Sequence, residues 1–241
     1  MRIFITGITG TLGQAFADHL SSLGHDVFGI DHNEERVAAS RYPVVLGDFG
    51  ETEFQADLVI HLAAFKHIDL CEITPSACIS NNVIKTYNLF RTAQRLGTDI
   101  LFMSTDKAVE PCSTYGYSKA LMEGMALELG GAFARSGNIL ASTGSVLNIW
   151  EKAIRAGEPL RLTHKDMRRY FITPEHLAER VWAMYLAGEK VIIPEMDMDI
   201  SLLELADITL ERFGHTSETY PIEFTGLRPG EKLVEKLHKG T

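Results

Sequence analysis

Short apolar runs alternate with helix-length amphipathic segments along the first half of this chain. The runs are rich in Val, Ile, Leu and Phe, which is the composition of strands buried on both faces. The alternation predicts an α/β fold, a Rossmann-type doubly wound parallel sheet with helices on both sides. The predicted strands span residues 3–6, 27–31, 44–47, 58–62 and 100–104, and the predicted helices span residues 12–23, 82–96 and 115–129.

The connection over residues 51–56 is too short for a crossover helix, so a turn is predicted there. After residue 136 the pattern is less regular, with helices predicted over residues 145–156, 174–187 and 202–213 and a strand over 160–162. We therefore predict a Rossmann domain over residues 1–136. Residues 137–241 are predicted to form mainly a small substrate-binding lobe, with some segments returning to the sheet.

Charge and composition exclude several classes of protein. The net charge is −9 and no long Lys/Arg run is present, which argues against a nucleic-acid or anionic-membrane partner. No apolar stretch approaches the roughly 18 residues that cross a bilayer, and Met1 leads directly into the first predicted strand. A cytoplasmic location is expected. Cys71, Cys78 and Cys112 are an odd number without metal-ligand spacing, so reduced thiols and no metal are expected.

A glycine-rich turn directly follows the first predicted strand and opens the first predicted helix. Its early glycines permit a tight turn and close approach of the backbone to a pyrophosphate, and its last glycine permits packing of the helix on the strand. The exposed amino end of the helix attracts negative charge. This context predicts a dinucleotide cofactor on Gly7, Thr9, Gly10, Thr11, Leu12 and Gly13.

Asp31 ends the second predicted strand, where a carboxylate can bind the adenosine ribose and repel a 2′-phosphate. This favours NAD over NADP. His32 and Arg36 follow closely and could instead hold the 2′-phosphate of NADP, so both cofactors stay open. Asp48, after the third predicted strand, could lie near the adenine edge or be a solvated loop carboxylate.

Two pairs of polar residues surround the end of the fifth predicted strand. Tyr115 and Lys119 are four residues apart at a helix start, so both lie on one face, and an ammonium beside a phenol lowers its pKa. Asp106 and Lys107, preceded by Thr105, lie where open α/β sheets place their chemistry. Simple hydride transfer does not require an adjacent acid and base, so this pair points to a further step. The alternative is that Asp106 and Lys107 form an ion pair that only stabilises the loop.

Six segments, in order, resemble the UDP-N-acetylglucosamine 4,6-dehydratase family of polysaccharide biosynthesis, within the extended short-chain dehydrogenase/reductases. They are HLAAFKH (61–67), STDKAVEP (104–111), YGYSK (115–119), GNIL (137–140), MRRYFIT (167–173) and RPGEKL (228–233). The resemblance implies a UDP-sugar substrate, a nicotinamide cofactor that is reduced and reoxidised on the same sugar, and a 4-keto-6-deoxy product. It also implies a homo-oligomer, with a dimer face on the helices that carry Tyr115 and Asn82.

The resemblance also implies roles for individual residues. Tyr115 takes the 4-hydroxyl proton, with Lys119 tuning it and holding the ribose. Lys107 removes the C5 proton and Asp106 protonates the departing 6-hydroxyl, or the reverse, and Thr105 belongs to the same catalytic set. Further implied contacts are Ala63, Ala64 and Lys66 to the cofactor, and Lys66, Asn138, Arg169, Arg228 and Glu231 to the substrate, the two arginines at its diphosphate.

The chain departs from that family at several points. Lys85 stands where the family usually has glycine, and Thr143 where it has arginine. The chain ends soon after residue 233 and the segment before Arg135 is shortened, so sugar specificity and oligomer contacts are expected to differ. A 4-epimerase, a 5,6-dehydratase and a cofactor-binding regulator without turnover are the alternatives.

Overall fold

The computed structural model describes residues 1–142 and 144–239. Over these residues, twelve strands form three sheets. The strands are β1 (Arg2–Thr6), β2 (Asp26–Asp31), β3 (Val44–Leu46), β4 (Leu58–His61), β5 (Asp99–Thr105), β6 (Ala132–Ser136), β7 (Asn138–Ile139), β8 (Leu160–Leu162), β9 (Arg168–Ile172), β10 (Val191–Ile192), β11 (Met198–Ser201) and β12 (Ile222–Phe224).

The main sheet has the order β10-β6-β5-β4-β1-β2-β3, and its strands pair in parallel. The chain runs outward from β1 to β3 and then crosses back to β4, so the strand order reverses beside β1. In doubly wound folds this reversal opens a crevice at the carboxyl ends of the strands. The predicted Rossmann-type sheet is confirmed, and each of the five predicted strands differs from the observed one by no more than one residue at either end.

The α-helices are α1 (Thr11–Ser22), α2 (Glu34–Ala38), α3 (Ile68–Ile73), α4 (Pro75–Ile79), α5 (Thr86–Leu96), α6 (Thr114–Glu128), α7 (Val146–Ala156), α8 (Pro174–Leu186) and α9 (Leu202–Glu211). The short helices α2, α3 and α4 are missing from the sequence-based prediction because five or six residues are too few to establish a 3.6-residue period. The helix predicted over 82–96 is in fact a π-helical segment, Ser80–Lys85, followed by α5.

Apolar side chains cover both faces of the main sheet. One cluster joins β1 and β4 to α1 and α8, and the other joins them to α5 and α6. Phe4 and Phe16 lie in opposite clusters and are almost completely buried, and each such side chain stabilises the fold by about 2 kcal/mol. The predicted turn before β4 is confirmed, since a 3-10 turn, Phe49–Glu51, replaces the crossover helix.

The second half of the chain adds two small sheets. β9 pairs in parallel with β7 and antiparallel with β11, whereas β12 pairs in parallel with β8. A third apolar cluster, centred on Trp150, packs α7 and α9 against these strands. β10 joins the main sheet beside β6. The predicted domain boundary at residue 136 stays a prediction.

None of the helices in the described ranges is both long enough and apolar enough to cross a membrane.

Candidate active site

The glycine-rich turn lies between β1 and α1. Gly7 has a φ of +71°, and a Cβ there would lie 3.3 Å from the Ala63 backbone. A Cβ on Gly13 would lie 2.2 Å from the Gly7 carbonyl oxygen, so glycine is required for α1 to approach the strand. No side chain caps α1 at Gly10, and its amino end therefore offers N–H donors to an anion. Leu12 packs into the core, so any cofactor contact it makes comes from its backbone.

Asp31 connects the glycine turn to the end of β2. Its Oδ2 accepts hydrogen bonds from the Thr9 hydroxyl at 2.7 Å and the Thr9 N–H at 3.3 Å. Its Oδ1 accepts from the N–H groups of His32 and Asn33, at 2.8 and 3.2 Å. The carboxylate thus holds the turn in place, and its contact with a ribose stays a prediction.

Thr6 and His61 shape the loop that follows β4. The Thr6 hydroxyl oxygen accepts hydrogen bonds from the N–H groups of Leu62 and Ala63, both at 3.2 Å. Its own proton is therefore directed at Nδ1 of His61, 2.7 Å away, and Nε2 of His61 then donates to Thr86 at 2.9 Å. Burial, with a smaller effect of Lys119, lowers the pKa of His61 well below its usual value. A neutral imidazole therefore supports the loop that carries Ala63 and Ala64.

Lys66 lies further along the same loop. Its pKa is lowered by desolvation and by repulsion from Arg36, which comes from α2. Two cations, Arg36 after β2 and Lys66 after β4, are thus close enough to repel each other. An anionic group bound between them would relieve this repulsion.

Tyr115 and Lys119 lie on the first turns of α6, which Ser113 caps by accepting the Gly116 N–H at 3.1 Å. Burial, followed by the charge of Asp106, raises the pKa of Tyr115 well above its usual value, although a hydrogen bond with Thr105 opposes this. The sequence-based expectation of a lowered tyrosine pKa is wrong for this structure, because burial and the charge of Asp106 both raise the pKa of Tyr115. The Lys119 ammonium is bonded elsewhere, to the Met103 carbonyl at 2.9 Å. Burial lowers the pKa of Lys119 to about 8.

Asp106 and Lys107 form an ion pair at the carboxyl end of β5. The Lys107 ammonium lies 2.9 Å from Oδ1 of Asp106 and 3.5 Å from Oδ1 of Asn138. Oδ1 of Asp106 also accepts from the Thr105 hydroxyl at 2.9 Å. Within the described part of the chain, Oδ2 of this fully buried carboxylate has no hydrogen-bond partner. A buried carboxylate oxygen without a partner is costly, which points to a ligand group.

The sequence profile of the family described as "Polysaccharide biosynthesis protein" matches residues 50–241. The chain belongs to this family. The match confirms the resemblance that the six motifs carry, because all six lie within the matched residues.

Two curated relatives illustrate the range of the family. The probable polysaccharide biosynthesis protein EpsC of Bacillus subtilis is 32% identical over 266 residues, covering 98% of this chain and 44% of EpsC. A UDP-glucose 4-epimerase of Rickettsia typhi is 30% identical over 264 residues, covering 98% of this chain and 76% of that enzyme. The chain therefore spans less than half the length of EpsC.

Solved structures support the fold. The crystal structure of DesIV, a dTDP-glucose 4,6-dehydratase from Streptomyces venezuelae with NAD and TYD bound, matches with a TM-score of 0.85. The identity is 22%, and the match covers 97% of this chain and 87% of that chain. At 22% identity, this structural similarity supports the fold and nothing beyond it.

Arg169, Arg228 and Glu231 are all bonded to other groups of this chain. The guanidinium of Arg169 is buried and donates to the carbonyls of Arg168, Lys232 and Leu233, at 2.8 to 3.0 Å. Arg228 pairs with Glu231 at 2.7 Å, and this partner raises the arginine pKa. Arg169 therefore holds the carboxyl-terminal segment. The diphosphate contacts stay predictions.

Asp48 and Lys85 form an ion pair near the ends of β2 and β3. Oδ1 of Asp48 also accepts the Gly50 N–H at 2.9 Å and thereby caps the 3-10 turn. Burial pushes the pKa of Asp48 upward, but the bonds from Lys85 and Gly50 outweigh it, and the pKa is lowered. Thr143, the second departure from the family, lies outside the described residues.

Sequence reasoning did not identify two buried polar groups that position the site. Asn82 exchanges hydrogen bonds with the backbone of Phe65, both at 2.8 Å, and donates to Ser118 on α6 at 3.3 Å. Glu123 receives two bonds from Arg135, at 2.7 and 2.6 Å. Glu123 lies one helical turn after Lys119, and this spacing could have indicated that it shares the buried face of α6. A charged residue on a helix is usually solvated, so it was not selected.

Proposed function

We propose that this protein is a sugar-nucleotide 4,6-dehydratase that uses NAD or NADP. It would convert a UDP-hexose such as UDP-N-acetylglucosamine to a 4-keto-6-deoxy sugar nucleotide. The observation that carries the proposal is the Asp106–Lys107 ion pair with its unpartnered Oδ2, beside Tyr115. Membership of a polysaccharide biosynthesis family and the shared motifs support it.

The residues around the glycine turn fit a dinucleotide. Gly7 and Gly13 admit no side chain without strain or contact, and the amino end of α1 is open to a pyrophosphate. Asp31 favours NAD because its carboxylate would repel a 2′-phosphate. When bound, the nicotinamide would accept hydride from C4 of the sugar and supply it again at C6. Lys66 and Arg36 would balance the charge of the phosphates.

Tyr115 would receive the proton of the 4-hydroxyl group. Because burial raises the pKa of the phenol, it needs a nearby positive charge to act as a base. Lys119 is one helical turn away and can supply this charge by turning from the Met103 carbonyl toward the phenol. The thiols of Cys71 and Cys78, which pack on Tyr115, keep its surroundings apolar.

The elimination would use Asp106 and Lys107 together. Transfer of a proton along their 2.9 Å hydrogen bond produces a carboxylic acid and a free amine without changing the net charge. The amine would remove the C5 proton, which the adjacent 4-ketone acidifies. The acid would carry this proton on Oδ1 and give it to the departing 6-hydroxyl group, which leaves as water, while the unpartnered Oδ2 would accept a hydrogen bond from the substrate. Asn138 would orient Lys107 through their 3.5 Å contact.

The substrate would reach this site from the carboxyl-terminal side. We propose that Arg228 loses one of its hydrogen bonds with Glu231 and donates to the substrate diphosphate instead. Arg169 would act indirectly, by holding residues 232 and 233 in place. We also propose a homodimer through the helices that carry Asn82 and Tyr115.

Product analysis by NMR tests the proposal. Incubation with UDP-N-acetylglucosamine in D₂O should produce a 4-keto-6-deoxy sugar, recognised by its C6 methyl signal, with deuterium at C5. Lys107→Met should lower the rate by about 100-fold or more, because it removes an acid–base group. Retained NADH binding would show that this variant is folded.

A 4-epimerase is the second candidate, because relatives with 30% identity carry the name UDP-glucose 4-epimerase. That reaction needs the Tyr115–Lys119 pair without the Asp106–Lys107 pair. An epimer formed at equal rates by the wild type and Lys107→Met would contradict the dehydratase. A 5,6-alkene product would identify the 5,6-dehydratase, and cofactor binding without any product would indicate a regulator.

A further inference from the structure

The carboxyl-terminal segment, residues 228–237, lies against the loop that joins the two proposed catalytic pairs. This loop, residues 109–113, begins after the short turn Asp106–Ala108 and ends at the start of α6. A Cβ on Gly230 would lie 2.7 Å from Cβ of Ser113, so the segment and the end of the loop are in direct contact. The segment is therefore placed to influence how the two pairs are arranged.

Lys232 joins the segment to the first residue of the loop. Its ammonium donates to the Val109 carbonyl at 2.7 Å and to Oε2 of Glu235 at 3.1 Å. The side chain of Glu235 is 1% exposed and that of Lys232 is 20% exposed. Because a buried carboxylate is costly without a positively charged partner, Glu235 keeps the Lys232 ammonium in this position.

The segment is itself fixed to the rest of the protein by two buried arginines. Arg169, on β9, donates to the carbonyls of residues 232 and 233, at 2.8 and 3.0 Å. Arg135, on β6, donates to the Leu237 carbonyl at 3.2 Å. These bonds hold the backbone on both sides of Glu235. Lys232 therefore contacts the loop from a fixed support.

The end of the loop is held by groups outside this segment. The Ser113 hydroxyl accepts the Gly116 N–H at 3.1 Å, and the Thr114 N–H donates to Oε1 of Glu72, on α3, at 2.6 Å. These two bonds fix the first turn of α6, which carries Tyr115. The position of Tyr115 thus has a support that is independent of the carboxyl-terminal segment.

The beginning of the loop depends more on Lys232. The Val109 N–H closes the short turn by donating to the Asp106 carbonyl at 3.1 Å, and the Val109 carbonyl is the acceptor for Lys232. Glu110, the next residue, has a φ of +48°, a conformation that a non-glycine residue adopts only where its surroundings maintain it. Loss of Lys232 should therefore loosen the turn that carries Lys107 more than it loosens α6.

We propose that Lys232 is a positioning residue for the elimination step. Through the Val109 carbonyl it holds the turn that carries Asp106 and Lys107, so that this pair stays aligned with the oxidised sugar. The proposal rests on the proposed function and adds that elimination depends on the carboxyl-terminal segment, whereas oxidation at Tyr115 does not. A general stabilising role, which would affect both steps equally, is the competing explanation.

Hydrogen exchange tests this support without any need for turnover. In Lys232→Met the Val109 amide should exchange about 10-fold faster, the effect of losing a hydrogen bond to a charged group. The Tyr117 amide, bonded to Ser113 within α6, should keep its wild-type rate. Lys236→Met is the matched control, because Lys236 pairs with Glu110 of the same loop but both side chains are exposed. It should change exchange at Val109 by about 2-fold or less.

Single-turnover kinetics with UDP-N-acetylglucosamine and an excess of protein and NAD separates the two steps. Absorbance of the reduced cofactor reports oxidation at C4, and the C6 methyl signal in NMR reports elimination followed by hydride return. In Lys232→Met, methyl formation should slow by about 10-fold or more while oxidation changes by about 2-fold or less, so reduced cofactor should accumulate. Lys232→Arg, which keeps a cationic donor, should restore the wild-type ratio of the two rates, and Lys236→Met should keep it.

The ratio of the two rates does not depend on how much of a variant is folded. Equal slowing of both steps in Lys232→Met, or unchanged exchange at Val109, would overturn the proposal. Absence of turnover in the wild type would instead overturn the proposed function. In that case the exchange rates would still decide whether Lys232 holds the turn.

Discussion

Lys119 shows how one buried charge connects stability with the proposed chemistry of the site. It is 4% exposed, and its ammonium lies 4.5 Å from the centre of the Phe102 ring in addition to its bond with Met103. Burial lowers its pKa to about 8, while Glu123, the next residue along the same face of α6, acts in the opposite direction. A buried ammonium near neutral pH therefore carries a cost in stability, which its bond with Met103 and the charge of Glu123 offset only in part.

This cost predicts a specific dependence of stability on pH. Between pH 8 and 10.5 the unfolded chain keeps the Lys119 proton and the folded chain releases it, so stability rises with pH in this window. The contribution is on the order of 3 kcal/mol at its upper limit. Urea unfolding across this window should show a rise in the wild type that is absent in Lys119→Met. Lys152→Met, on the exposed surface of α7, should keep the rise, and an equal rise in Lys119→Met would contradict the assignment.

How far the site could be predicted differs from residue to residue. Asp106 and Lys107 are neighbours in the sequence, so their pairing needed no knowledge of the fold. The raised pKa of Tyr115 could not be predicted, because it depends on burial by distant side chains such as Cys71 and Cys78. Arg169 is similar, since two of its three partners are carbonyls more than 60 residues away. Spacing in the sequence predicts which neighbouring side chains contact each other. Their pKa values depend on which distant residues bury them in the folded protein.

At the level of elements, glycine placement decides how helices pack. Gly13 lies in α1, where a Cβ would meet backbone atoms of Gly7 and Ile8 at 2.2 to 2.6 Å. Gly124 lies in α6 and has nothing within 4 Å of an added Cβ. The same substitution should therefore have opposite effects in the two helices. The strands were predictable because doubly buried runs are continuous and apolar, but these packing distances depend on the partner element.

Gly13→Ala should lower the free energy of unfolding by more than about 2 kcal/mol, because backbone atoms must move to admit the methyl group. It should also weaken NADH binding. Gly124→Ala should raise the free energy of unfolding by about 0.5 to 1 kcal/mol, since alanine has the higher helix propensity. Chemical denaturation of both variants measures these changes. A stabilised Gly13→Ala would contradict the close approach of α1 to β1.

At the scale of the whole molecule, one apolar surface stands out beside the site. Exposed side chains lie on neighbouring helices, with Leu70 and Ile73 on α3, Ile84 at the π-helical segment and Tyr117 and Leu121 on α6, each 50 to 74% exposed. Tyr117 and Leu121 alternate along α6 with the proposed catalytic residues Tyr115 and Lys119. Exposed apolar surfaces often mark interfaces, so pairing of two copies here would brace α6.

Leu121→Glu should therefore convert a dimer to a monomer, because it would bury two unpaired carboxylates about the two-fold axis. Sedimentation velocity at micromolar concentration measures the change. Ile208→Glu on α9, where the native side chain is 49% exposed, is the matched control and should leave the dimer intact. A monomeric wild type, or equal dissociation by both variants, would contradict an interface on α6. Because Leu121 is two residues from Lys119, loss of the dimer should also lower kcat more than it weakens NADH binding.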